Sequence, residues 1–320
     1  MKDQFGRDIT YLRLSVTDLC NLRCRYCMPE EGVCSKSHFN MLTEDEMVMA
    51  AEVAAELGVT RIRITGGEPL VKKNIISICR RISAIPGIRE VTMTTNATLL
   101  EDCAEDLKRA GVSRLNISLD TLDPDRFEHI TRRNQFEQAM SGIRAAEKAG
   151  FGSTKINAVL IGGFNDDEIV KLSELTLDKP IDVRFIELMP MYDGGDFGKD
   201  AFIPCDMVLD RLREADYEPM PLETEGVARL YRLPGAVGRI GLISPVSKHF
   251  CAECNRLRLT ADGKIRPCLH SGIEYSIKGL NREEMAEQFR LAIENKPAEH
   301  AELSYTERSQ AGRNMNTIGG

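Results

Sequence analysis

The chain has 320 residues, 42% of them apolar, and a formal net charge of -7. That length exceeds what one compact core holds and predicts a large domain with a smaller one, while the acidic balance disfavours non-specific nucleic-acid binding and leaves only a local basic pocket for an anion. Scattered charges and no long apolar run in the first thirty residues leave neither a signal peptide nor a membrane span there, so a cytoplasmic setting is expected, in which ten cysteines argue for metal binding or catalysis rather than disulfides.

In chain order, short β-branched runs read as strands at 11–16, 61–65, 90–95, 114–119, 155–161 and 182–188. Helical periodicity separates them, as in "EDEMVMAAEVAAELG" and in "FEQAMSGIRAAEKAG", which Gly150 closes as a C-terminal cap. Such alternation forces parallel strands with helices outside, giving an α/β fold that is either an open doubly wound sheet or a complete or partial barrel. Several strands carry Arg13, Arg63, Thr94, Ser118, Lys155 and Arg184 among their apolar residues. Polar side chains on an inner barrel face need partners, so the set points to a cavity filled by a charged ligand; the plainer alternative is that each faces solvent. After Met189 the Gly, Pro and Asp-rich "PMYDGGDFGKDAFIPCD" breaks the alternation and places a boundary near residue 200. Beyond it come a short helix at 205–215, a strand-rich stretch at 217–268 and a helix at 281–294.

Two cysteine triplets stand out. Cys20, Cys24 and Cys27 follow the first strand, at the end of a parallel sheet where ligand sites gather. Three thiolates suit an iron-sulfur cubane with one open iron, whereas a structural zinc site would need Cys34 or His38 as a fourth ligand. Cys251, Cys254 and Cys268 form the second triplet, with "LRLTADGKIRP" reading as two strands around an Asp-Gly turn that returns Cys268 toward the other two. Period-two alternation puts Cys254, Arg256 and Arg258 on one face. A second cluster flanked by guanidiniums is one reading of this triplet, and a zinc ribbon completed by His249 or His270 is the other.

The spacing Cys-x3-Cys-x2-Cys with Tyr26 before the third cysteine resembles the signature of radical S-adenosylmethionine enzymes, and "RITGGEPL" supplies the Gly66, Gly67 and Glu68 of that superfamily after the second strand. With the second triplet, "NRLRL" and the terminal double glycine, nearly the whole chain resembles the GTP 3',8-cyclase family of molybdenum cofactor biosynthesis. The resemblance implies a partial (β/α)6 barrel closed by a C-terminal α+β region, with a radical S-adenosylmethionine core over 1–200 and an auxiliary-cluster and substrate region over 201–320. It implies two 4Fe-4S clusters, one held by Cys20, Cys24 and Cys27 and one by Cys251, Cys254 and Cys268. S-adenosylmethionine would lie among Tyr26, Gly67, Ser118 and Met189. GTP would meet Arg13, Arg63, Thr94, Lys155, Arg256 and Arg258, with Arg184, Gly319 and Gly320 in catalytic roles.

The implied product is (8S)-3',8-cyclo-7,8-dihydroguanosine 5'-triphosphate, formed when a hydrogen is taken from C3' of the ribose and C3' bonds to C8 of the base. Implied partners are GTP, an external one-electron reductant, a downstream pyranopterin-forming enzyme and a second copy of the chain in a homodimer, with no nucleic acid and no membrane. The alternatives are another two-cluster radical enzyme such as a peptide maturase, and a non-catalytic zinc or iron-sulfur scaffold. Ala97 departs from the glycine usual after "TTN", at a cost of about 1 kcal/mol if its φ is positive. Cys34, Cys79, Cys103 and Cys205 read as buried or incidental thiols.

Overall fold

The structure is a computed structural model that describes residues 1–33, 40–152, 154–191, 197–303 and 309–319. Each expected strand forms: β1 (Tyr11–Ser15), β2 (Arg61–Thr65), β3 (Glu90–Thr95), β4 (Val112–Ser118), β5 (Lys155–Leu160) and β6 (Asp182–Glu187). They pair in chain order, all parallel. Their outward side chains bury against the helices that alternate with them: α1 (Glu44–Glu56), α2 (Ile75–Ser83), α3 (Ala104–Arg109), α4 (Pro124–Thr131), α5 (Phe136–Lys148) and α6 (Ile169–Glu174). The start of α1 is set by Thr43, whose hydroxyl accepts from the Glu46 amide while Glu46 returns a carboxylate to the Thr43 amide, closing a capping box. Gly150 follows the end of α5 with φ +79°, as its placement in the sequence predicts.

The segment beyond residue 200 adds α7 (Met207–Glu214), β7 (Met220–Pro221), β8 (Arg229–Arg232), β9 (Arg239–Ile243), β10 (Arg256–Leu259), β11 (Lys264–Arg266), β12 (Tyr275–Ser276), α8 (Arg282–Glu294) and α9 (Met315–Ile318). Its strands build no sheet of their own. They extend the first six at both edges, β9 lying parallel to β6 and β10 parallel to β1, with antiparallel strands beyond each. The sheet is thus a partial barrel of eight parallel strands whose two outer members come from the C-terminal segment. No helix among the described residues is long and apolar enough to cross a membrane.

Ala97, just after β3, has φ +63° and is buried. The strained conformation is held by an Ala97 amide donating to Thr95 Oγ1 at 3.1 Å and an Ala97 carbonyl accepting from Leu100 at 3.0 Å. Gly142 of α5 packs onto that carbonyl so closely that a Cβ there would lie 2.0 Å from it. Gly142→Ala is therefore expected to lower stability by about 1–3 kcal/mol, read as a shift in the denaturant midpoint at unchanged slope; an unshifted midpoint would show that the helix is free to move away.

Candidate active site

The inner face of the sheet carries the charged residues that the strand patterns single out. Register places Arg63 of β2 opposite Arg13 of β1, and Arg13 opposite Arg258 of β10, so three guanidiniums stand side by side across adjacent strands. Burial, then the charges of Arg258 and Arg63, hold Arg13 well below the usual arginine range, and burial leads the same shift at Arg258, to about 10. Arg13, Lys155 and Arg184 are buried and Arg63 half-buried, so the solvent-facing alternative does not apply to them. Arg63 lies over the Tyr11 ring and donates to Thr92 Oγ1 at 3.3 Å, and Arg256 lies over the Phe250 ring.

Further round the barrel, Lys155 of β5 donates to Glu225 at 2.6 Å and lies 3.6 Å from Asp182. Arg184 of β6 has Nη2 at 3.5 Å from Glu225 and 3.7 Å from Asp182, while its Nε and Nη2 are buried without a hydrogen bond. Thr94 Oγ1 is also buried and unpartnered. Buried donors without an acceptor are costly, and these remain open to an incoming acceptor group. The Lys155–Glu225 pair is lopsided. Burial opposes ionisation of Glu225, but Lys155, Arg184 and Arg239 outweigh it and hold the carboxyl at about 2, whereas burial and Arg184 push the Lys155 ammonium down to about 8. The frustrated charge in the pair is the lysine's.

The two cysteine triplets lie at opposite ends of this wall. Cys20 follows the C-terminal end of β1, and Cys254 precedes the start of β10, which runs parallel to β1. β11 returns antiparallel, with Arg266 opposite Arg258, and so carries Cys268 back beside Arg256 and Cys254 as expected. β1 between the two ends is about 16 Å long at about 3.3 Å per residue. Burial raises the Cys20 thiol to about 11 and Cys27 to about 12, and Cys24 is raised well above its ordinary value by burial and by its two neighbours. Sulfurs bound to one tetrahedral zinc ion sit about 3.8 Å apart. Among the described residues, His249, Cys251 and His300 form a group with ligand atoms all within 4.8 Å of one another. Cys34 and His38, the candidate zinc ligands near the first triplet, lie outside the described residues.

Around the first triplet, Tyr26 donates its hydroxyl to Asp120 Oδ2 at 2.7 Å, and burial raises both groups, Asp120 to about 6. Glu68 is buried, accepts from Thr95, Asn96 and Leu70, and is raised by burial to about 7, an environment that favours a bound cation. Gly66 and Gly67 make their close approach to the chain itself rather than to open space. A Cβ would lie 2.6 Å from the Thr17 carbonyl oxygen at Gly66 and 2.3 Å from that of Leu19 at Gly67. The pair therefore packs against the loop that carries Cys20. Ser118 and Met189 are half-buried, Met189 against the small apolar cluster of Met191, Ala311 and Ile318.

The C-terminal segment enters this site. Asn316 of α9 donates to the Asp18 carbonyl at 3.0 Å, and the Gly319 carbonyl accepts from Arg13 at 3.2 Å and from Arg258 at 2.7 Å. Arg266, fully buried, anchors the approach by donating to the Ala311 carbonyl at 2.8 Å. Gly319 thus meets Arg13 and Arg258, whereas Arg184 faces Asp182 and Glu225, and Gly320 lies outside the described residues. Sequence reasoning did not single out Asp120, Glu225, Arg266 or His300 as site residues. Asp120 had a signal, its place at the C-terminal end of a barrel strand; Glu225 sits in a short turn and Arg266 behind a hairpin, where only the register shows what they face.

The parallel barrel with a Cys-x3-Cys-x2-Cys loop after its first strand defines a radical S-adenosylmethionine protein. Residues 14–176 match the Radical SAM superfamily and residues 181–302 match Molybdenum Cofactor Synthesis C. The chain is 46% identical to the GTP 3',8-cyclase of Alkaliphilus oremlandii over all of both chains, and 49% identical to that of Moorella thermoacetica over 94% of this chain and 95% of the relative. It belongs to the GTP 3',8-cyclase family. Among solved structures, Streptococcus suis SuiB shares the fold at a TM-score of 0.60 and 16% identity, covering 82% of this chain and 61% of SuiB.

At Gly319, φ is +79° and a Cβ would lie 2.4 Å from Thr65 Oγ1. Gly319→Ala is expected to lift α9 and the tail off the arginine row, speeding amide exchange of 315–319 by at least about tenfold, or about 1.4 kcal/mol of local stability, while the barrel amides are unchanged. Unaltered exchange in the tail would mean that the cavity has room to spare.

Proposed function

We propose that the wall of Arg63, Arg13 and Arg258, together with Arg256, Lys155, Arg184 and Thr94, receives GTP between the two cysteine triplets, and that the chain converts it to the 3',8-cyclised nucleotide as its family does. The observation that carries this reading is the in-register arginine row, with one cysteine set following the C-terminal end of β1 and the other preceding the start of β10. A triphosphate carries about four negative charges, and convergent guanidiniums compensate its desolvation while the orphaned donors of Arg184 and Thr94 acquire acceptors.

Cys20, Cys24 and Cys27 would hold the cluster beside S-adenosylmethionine, and Cys251, Cys254 and Cys268 the auxiliary one; when bound, the first pair supplies an electron and the radical that takes a hydrogen atom from the ribose. The chain's own residues position and enclose. Glu68 offers a buried carboxylate to the cofactor's ammonium, and Gly67 fixes the loop of Cys20 against the second strand. Tyr26, tied to Asp120, closes that side of the pocket, with Ser118 and Met189 lining it. Glu225 neutralises Lys155 until the triphosphate displaces it. Gly319 brings a backbone carbonyl where no side chain fits, which excludes water and orders Arg13 and Arg258 for the substrate.

In this division the core spans 1–200 and the auxiliary region 201–320, although both contribute strands to one wall. An external one-electron reductant, a downstream pyranopterin-forming enzyme and a homodimeric assembly complete the proposed setting.

Anaerobic incubation with reductant, S-adenosylmethionine and each nucleoside triphosphate tests the substrate: GTP is expected to yield 5'-deoxyadenosine together with a cyclised product, and equal turnover of ATP would refute the assignment. Cys24→Ala should abolish cofactor cleavage, whereas Cys254→Ala should retain uncoupled cleavage and lose cyclisation. A normal product yield from Cys254→Ala would leave the second triplet without a catalytic part.

The lysine adds a pH test. Its pKa is depressed from 10.5 to about 8 in the free chain, so its charge is present below that pH and lost above it, while Glu225 stays ionised down to about 2. The KM for GTP should therefore rise as pH passes upward through about 8, and Lys155→Gln should raise KM at neutral pH and flatten that rise. An unchanged profile in Lys155→Gln would place the triphosphate elsewhere.

A further inference from the structure

Beside the auxiliary cysteines, the described residues hold a second kind of metal-ligating cluster: one ligand atom each from His249, Cys251 and His300, all within 4.8 Å of one another. His249 Nδ1 and His300 Nε2 are 3.1 Å apart. Two imidazole nitrogens bound to one tetrahedral ion at about 2.0–2.1 Å would sit about 3.3 Å apart, so the pair is already at ligand spacing. The tautomer is the one a ligand needs. His300 Nδ1 lies 2.7 Å from the Ala301 carbonyl oxygen, which only accepts, so Nδ1 carries a proton, and in the neutral ring this leaves the lone pair on Nε2, facing His249. A carbonyl on the far nitrogen is also how metal-binding imidazoles are commonly oriented.

The two chain segments that supply these ligands are fixed by a third. Arg7 donates to the Cys251 carbonyl at 2.7 Å, to the Ala298 carbonyl at 2.9 Å and to the Pro297 carbonyl at 2.6 Å, and Asp3 holds Arg7 at 2.6 Å. One buried guanidinium thus sets both the loop of Cys251 and the segment leading to His300. The arginine wall does not account for this convergence, and of the second cysteine triplet only Cys251 takes part in it.

We propose that His249, Cys251 and His300 form a site for a single divalent ion of the zinc class, filled when the auxiliary cluster is absent, and that this ion and the cluster exclude one another. Binding releases the thiol proton of Cys251 to solvent, leaves both imidazoles neutral, and places water or a nearby thiolate in the fourth position. Exclusion follows because Cys251 would be claimed by both. The inference rests on the assignment of Cys251, Cys254 and Cys268 to the auxiliary cluster. The histidines then form a fork in maturation: iron with sulfide takes the three thiolates, and zinc arriving first takes one thiolate and two imidazoles.

The test uses the full-length protein, stripped of metal under anaerobic conditions. Titration with Co2+ should produce thiolate-to-cobalt charge transfer and the intense visible bands of a four-coordinate ion, with Zn2+ displacing it. His249→Asn with His300→Asn should weaken that binding by at least about tenfold and alter the visible bands. In iron and sulfide reconstitution, one equivalent of Zn2+ added first should lower the wild type from about eight irons to about four, while the double variant reaches about eight with or without zinc. His249 is exposed, so His249→Asn alone serves if the double variant is unstable. Cobalt spectra and affinity unchanged by the substitutions would put the ion on cysteines alone and overturn the site, and about eight irons in the wild type despite zinc would overturn the exclusion. A protein that reaches only about four irons without any zinc would instead overturn the auxiliary-cluster assignment, and the cobalt titration would still decide the histidine site.

Discussion

Three like charges held in register on neighbouring strands are the constraint around which this molecule is arranged. Adjacent strands lie about 4.8 Å apart, so Arg63, Arg13 and Arg258 repel one another across a wall with little water to screen them, and the depressed basicity of Arg13 records its burial first and that repulsion second. A hydrophobic barrel would place Val or Ile at such positions. The arrangement persists because acceptors are brought to it: the Gly319 carbonyl for Arg13 and Arg258, the Thr92 hydroxyl and the Tyr11 ring for Arg63. Neutral acceptors compensate only part of a full charge. What remains is a local positive field in an otherwise acidic protein.

On β5 and β6 a different solution operates. Lys155 and Arg184 face carboxylates from Asp182 and Glu225, so the cations there are matched by opposite charge. Asp182 is buried within β6, but Glu225 reaches in from a half-exposed turn. The one acid is part of the frame and the other is removable. Around the first cysteine triplet the logic reverses, with Glu68, Asp120 and three thiols all raised by burial. That end of the barrel calls for positive charge and the arginine end for negative charge, a polarity laid down along a strand of five residues.

The alternating elements were legible because each strand is short, β-branched and bounded by turn residues, and β2 and β3 coincide with the runs read from the sequence. The cysteine spacings were legible because cluster chemistry demands thiolates close together in the chain. Arg13, Lys155 and Arg184 could be marked as inward-facing, since charge repeated inside the apolar runs of several strands is too costly to bury unless a ligand meets it. Pairing across long separations was not legible. That Arg258 stands beside Arg13 depends on β10 joining β1 from some 240 residues away, and no local pattern encodes that choice. Nor was it legible that the atoms crowding Gly66 and Gly67 belong to Thr17 and Leu19. Glu225 and His300 stayed hidden for a related reason: their significance lies in what they face, and their own neighbours in sequence carry no periodicity.

The two parallel strands that flank the six-strand core come from residues 239–243 and 256–259, and this has a consequence for the chain as it is made. While a ribosome has released β1 to β6 but not yet those residues, the nascent sheet has open hydrogen-bonding edges at β1 and at β6. Unpaired edges invite pairing with a neighbouring chain. The interval covers the stretch from residue 188 to about 259, several seconds of elongation at about 5–20 residues per second. Both edges close within the span of a few strands, β9 and β10 arriving almost together. The order of synthesis therefore leaves both edges of the finished six-strand set unpaired until residues 239–259 have been made.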